Sequence, residues 1–97
     1  MAGFGLSGSQ RLTADGAVGT SGKPIRVFSV IVTGASIGAV RLYDGTSASG
    51  DLFYALTGVA NKSTPQNFED GLLFPSGCYA DIDTTVSSAV IEFVKEA

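Results

Sequence analysis

The sequence contains no histidine and no tryptophan, and only one cysteine, Cys78. Without histidine the chain lacks the side chain that most often acts as general base near neutral pH, and with it the commonest metal ligand. A lone cysteine excludes an intrachain disulfide. It also has no imidazole to deprotonate it, the usual partner of a thiol nucleophile. Charge is scarce: 15% of residues are Asp, Glu, Lys or Arg, against about a quarter in ordinary soluble domains. The cations Arg11, Lys23, Arg26, Arg41, Lys62 and Lys95 are scattered, no two adjacent, and the net charge is −3. A phosphate backbone is normally met by a clustered positive face, so no nucleic acid is expected as partner. No apolar run approaches the roughly 18 residues of a membrane-spanning helix, and no membrane is expected either. Residues 1–10 are rich in glycine and serine and lack the basic start and apolar middle of a secretory signal.

What is present is a repeated grammar of short alternating runs broken by small polar turns. The clearest instance is Val40-Arg41-Leu42-Tyr43-Asp44-Gly45-Thr46-Ser47-Ala48-Ser49-Gly50-Asp51-Leu52-Phe53-Tyr54-Ala55-Leu56, which reads as strand, loop, strand. Equivalent signals place strands at about residues 10–14, 17–20, 25–33, 39–43, 51–57, 71–75, 78–83 and 87–95, with turns every eight to twelve residues as in sandwiches and jelly rolls. Asp15-Gly16, Asp44-Gly45 and Asp70-Gly71 punctuate them. The expected fold is a small all-β antiparallel β-sandwich, jelly-roll-like, with about eight short strands. Its length of 97 residues suits one domain: residues 10–97 form the sandwich, preceded by a flexible N-terminal arm, residues 1–9, whose sizeable apolar residues are Phe4 and Leu6.

Three expectations about faces follow from two-residue periodicity. The run at 25–33 is apolar on both faces, with Ile25, Val27 and Ile31 on one and Phe28, Val30 and Val32 on the other. Such a strand is buried on both sides or covered by a partner. In the run at 51–57, Leu52, Tyr54 and Leu56 share a face. Residues 58–70 read as a polar stretch barred from a central strand by Pro65, with Phe68 pinned to the core.

Few residues offer chemistry. Asp81 and Asp83 fall two apart on one strand face, within reach of the carboxylate pairs of glycosidases or of a calcium ion with further oxygen ligands; equally, they form a solvated strand face. Cys78 alternates with Ala80 and Ile82 and reads as a small core residue. Residues 44–50 are glycine-containing, but lack the lysine and the following helix of a phosphate-cradling loop. Asn61-Lys62-Ser63 matches an N-glycosylation pattern, read as accidental without a secretion signal. Tyr43, Phe53, Tyr54 and Tyr79 form either a sugar-binding platform or part of the core or of an interface. No cofactor is expected.

Three strings carry a resemblance: Lys23-Pro24-Ile25-Arg26-Val27-Phe28-Ser29-Val30, Val40-Arg41-Leu42-Tyr43-Asp44-Gly45-Thr46-Ser47-Ala48-Ser49-Gly50, and Leu73-Phe74-Pro75-Ser76-Gly77-Cys78-Tyr79-Ala80-Asp81-Ile82-Asp83. Over residues 20–95 the chain resembles small β-sandwich virion proteins of tailed bacteriophages, especially those of cyanobacteria and marine bacteria. The resemblance implies a non-enzymatic structural role: a homotrimeric cement or decoration protein bound to the major capsid protein on the capsid surface of the virion, made in the host bacterial cytoplasm. A tail or fibre component, or a module binding host glycans, is the alternative. The expected partner contacts are Phe4, Leu6 and Arg11 of the arm and Thr46, Ser47 and Ser49 of the hairpin tip.

Overall fold

The computed structural model describes residues 7–95. Among them the chain forms eight strands, β1 (Ser7–Leu12), β2 (Gly16–Val18), β3 (Ile25–Gly34), β4 (Gly38–Asp44), β5 (Asp51–Gly58), β6 (Lys62–Phe74), β7 (Cys78–Ile82) and β8 (Val86–Lys95). They make two four-stranded antiparallel sheets, ordered β1-β8-β3-β6 and β2-β7-β4-β5. The order has a simple origin. Folding the chain back at the β4–β5 hairpin brings β3 to β6, β2 to β7 and β1 to β8. This long two-stranded ribbon then wraps so that successive pairs alternate between the two sheets. The result is jelly-roll wiring.

The alternation in the sequence becomes an inside and an outside. Inward side chains of both sheets, among them Val18, Ile25, Leu42, Phe74, Ala80 and Ile91, are buried, each large one stabilising the fold by about 1.5–3 kcal/mol. On β7, Cys78, Ala80 and Ile82 point inward and Tyr79 and Asp81 outward, as the periodicity predicts. On β8, Ala89, Ile91 and Phe93 are buried while Glu92 is exposed.

β3 departs from simple alternation. Val27 pairs with Phe93 and Ser29 with Glu92, leaving Phe28 as the extra residue of a β-bulge. A bulge reverses the parity of everything after it. Ile25 and Val27 therefore face the core before it, and Val30 and Val32 after it. The run looks apolar on two faces because its single inward face changes register midway. Phe28 and Ile31 remain half-buried outside, Ile31 opposite Val90.

Three other expectations change. Residues 62–70, read as a polar stretch apart from the strand at 71–75, form one strand with 71–74, the thirteen-residue β6. Pro65 is accommodated because β6 is a sheet edge, where a missing donor faces solvent. Asp70-Gly71 is no turn but lies inside β6, with Gly71 at φ 79, where the β3 register shifts from Leu72 to Asn67. At the start of the chain, pairing with β8 begins at Ser7, so residues 7–9 belong to the sheet and not to an arm.

Because strands alternate in direction, the β2–β3, β4–β5 and β6–β7 connections share one end of the sandwich with the start of β1. Side chains tie loops together at both ends. Asp44 Oδ1 accepts from the Ser76 amide at 2.9 Å, and the Gly45 amide donates to Gly77 O at 2.9 Å. At the opposite end Asp15 Oδ1 accepts from the Ile82 amide at 2.7 Å.

Candidate functional site

The outward face of the β2-β7-β4-β5 sheet gathers Arg41 and the two aspartates with two of the four aromatics singled out in the sequence, Tyr43 and Tyr79. Register sets Arg41 opposite Asp81, and Tyr43 opposite Tyr79. Tyr43 also faces Leu52 across β5. Arg41 sits between the two carboxylates. Its Nη1 donates to Asp83 Oδ1 at 2.8 Å and lies 3.8 Å from Asp81 Oδ2. The second oxygen of Asp83 accepts from the Ala39 amide at 2.9 Å. The guanidinium and that amide together hold the Asp83 carboxyl below its ordinary 3.8, while Asp83 raises Arg41 further. Both Asp83 oxygens are thus engaged within the fold, and a proton-relaying pair of carboxylates would first have to displace Arg41. No group of three or more metal-ligating side chains occurs among the described residues.

The four aromatics of the possible sugar platform separate. Tyr43 and Tyr79 remain neighbours on the outer face. Tyr54 turns inward and meets Phe68 edge-on, centroids 4.9 Å apart, which is how Phe68 is anchored. Phe53 packs against the buried Phe74, centroids 5.2 Å apart. It is the extra residue of a second bulge, since Leu42 pairs with Tyr54 and Tyr43 with Leu52. Contrary to the periodicity, which puts Leu52 on the face of Tyr54 and Leu56, the bulge turns Leu52 to the other face, where it stands 54% exposed.

The expected partner contacts fall as follows. Phe4 and Leu6 lie outside the described residues. Arg11 is exposed on β1, opposite Val90. Thr46, Ser47 and Ser49 are exposed in the β4–β5 loop, where the Ser47 and Ser49 hydroxyls are 2.6 Å apart and the Ser49 amide donates to Ser47 Oγ at 3.2 Å. The loop is a self-bonded hairpin tip. At the same end stand three exposed apolar residues, Leu52, Phe53 and Leu73, exposed by 54, 40 and 37%, with Phe53 against Phe74. Only the bulge turns Leu52 outward, and alternation cannot reveal a bulge.

Cys78 is buried in the core. Burial, with the Asp44 charge adding to it, pushes its thiol up to about 12, so it is no nucleophile at neutral pH. The surface depressions are shallow. One, about 430 Å³, is lined by Phe28, Glu92 and Val94. Another, about 400 Å³, is lined by Asp15 and Asp83, whose oxygens already serve backbone amides. No helix among the described residues is long and apolar enough to cross a membrane. No known family model matches the chain, and no curated protein or solved structure does either.

Proposed function

We propose that this chain is a non-enzymatic structural protein of a bacteriophage particle, a decoration protein that seats on the outer capsid surface between major capsid proteins and stabilises the shell. One observation carries the reading. The loop end bearing Thr46, Ser47 and Ser49 also exposes the large apolar side chains Leu52, Phe53 and Leu73, at one end of a sparsely charged domain. Such a surface suits burial against a protein neighbour, where apolar area contributes about 25 cal/mol per Å² before ordering costs. The jelly roll recurs in viral capsid proteins, which fits the resemblance of the sequence. Seating on capsids would carry the chain out of the cytoplasm of its host and into the virion.

The test is co-sedimentation with purified expanded capsids, followed by shell melting with and without the protein. Bound protein should raise the shell's melting temperature. Leu52→Lys with Leu73→Lys should abolish sedimentation with the shell while leaving the protein's own melting temperature within a few degrees, since exposed positions contribute little to the fold. Wild-type protein that ignores capsids would sink the proposal.

A second reading, binding of a host glycan, is favoured by the Tyr43–Tyr79 pair beside Arg41, Asp81 and Asp83. Two rings on one face with polar groups alongside suit a sugar's apolar and hydroxyl edges. Glycan-array binding lost in Tyr43→Ala and in Tyr79→Ala would support it. Silence across host polysaccharides would dismiss it.

A further inference from the structure

The two sheets have four edge strands, and three of them are protected against pairing with another chain. β2 is three residues long and its backbone is occupied by Gln10, whose Nε2 donates to Ala17 O at 3.0 Å and whose Oε1 accepts from the Gly19 amide at 2.8 Å. β6 carries Lys62, Pro65, Glu69, Asp70 and the Gly71 irregularity. β1 carries the exposed Arg11. These are the usual devices that blunt a sheet edge. β5 has such devices only at its start, the charged Asp51 and the Phe53 bulge; from Tyr54 to Gly58 it contains no charge, no proline and no bulge. Its inward side chains Tyr54 and Leu56 are themselves only half-buried, so the rim of the core is open along this strand.

The direction of its backbone groups can be worked out. The Asp83 amide donates to Ala39 O, and the Ala39 amide donates to Asp83 Oδ2. Ala39 therefore points its N–H and C=O toward β7, and alternation turns those of Val40 and Leu42 toward β5. Their partners Leu56 and Tyr54 spend their backbone groups on β4. Ala55 and Thr57 point theirs outward, and among the described residues neither has a bond beyond the ladder.

We propose that β5 pairs antiparallel with β5 of a second copy about a two-fold axis at Ala55. In that register Ala55 exchanges both backbone hydrogen bonds with Ala55 of the second copy, and Tyr54 lies opposite the second copy's Leu56. Each half-buried inward residue is covered by the other, the smallest side chain sits at the axis, and no charge faces a like charge along the strand. Any register one residue away would set inward against outward side chains. The pairing is isologous and closes as a dimer, joining two four-stranded sheets into one continuous sheet. It does not depend on the virion role.

Sedimentation velocity and light scattering of the full chain, from about 10 μM to 1 mM, test it. Wild-type protein is expected to shift with concentration toward twice its 9.9 kDa. Ala55→Pro removes an N–H that β4 does not use, and Ala55→Lys sets two cations opposite each other. Each should raise the dissociation constant about tenfold or more, with the far-ultraviolet circular dichroism of the diluted protein unchanged. If Ala55→Pro does not fold, Ala55→Lys decides. A monomer throughout the range, a trimer, or a dimer that both variants leave intact would overturn the proposal.

Discussion

Single residues of this chain are tied to the fold by chemistry that resembles function from a distance. Asp83 is the clearest. Its carboxylate accepts from Arg41 and from the Ala39 amide, and its pKa is lowered mainly by the Arg41 bond. A lowered carboxyl contributes stability that is complete above its ordinary value of 3.8 and is lost as pH falls through the lowered value. Thermal melts below about pH 4 should therefore steepen their pH dependence in wild type relative to Asp83→Asn, whose acid limb should be flatter. Cys78 acts in the opposite direction. Its buried thiol keeps its proton up to about 12, whereas the unfolded thiol ionises near 9.0. Over that interval the native state holds the extra proton, so stability falls as pH rises, by up to about 1.4 kcal/mol per pH unit. Cys78→Ala should remove that alkaline slope while lowering stability near neutral pH through the space it leaves. Aromatic disulfide reagents should label native wild-type protein only at the rate of unfolding.

At the level of elements, irregularities do as much as regular pairing. The Phe28 bulge lets β3 face one core although its apolar residues fall on both parities, and the Phe53 bulge brings an aromatic ring onto Phe74 while turning Leu52 out. Gly71 serves the irregularity on β6. Its φ of 79 is one that side-chain-bearing residues rarely adopt, and a Cβ there would collide with Cγ of Arg26 and approach Cε1 of Phe28 to 3.1 Å. Gly71→Ala should cost about 1–3 kcal/mol. In a domain of this size each kcal/mol lowers the melting point by about 4–8 °C, so calorimetry resolves it readily. A change within error would mean that β6 can repair its register without glycine.

For the molecule as a whole, topology sets both shape and kinetics. The partners β1 and β8 stand at opposite ends of the sequence, and of the four nested pairs only β4–β5 is a local hairpin. Closing the outer pairs requires large loops to be ordered before their contacts are made. Refolding monitored by tyrosine fluorescence should therefore be slow for a chain this short, in the millisecond-to-second range typical of non-local β topologies. A microsecond phase carrying the full amplitude would contradict it. With no disulfide and a core limited by size, this domain would gain stability from association; the β5 pairing and the loop-end docking proposed above would each supply it.

Much of this architecture was legible beforehand. Alternation in the runs around Leu42, Ala80 and Ile91, with small residues between runs, was enough to establish an all-β fold of eight strands and the inward positions of β7 and β8, because a strand's faces follow from a period of two. Cys78 could be assigned to the core on the same ground. Tertiary structure alone decided the rest. The bulges at Phe28 and Phe53 exist only in the pairing of one strand with another, and they moved Leu52 outward and gave β3 a single buried face. The strand nature of residues 62–70 came from β3, which offers its ladder to a polar sequence of little strand propensity of its own. Arg41 reached Asp83 because β4 pairs with β7 across some forty residues of chain, a distance over which local pattern carries no information.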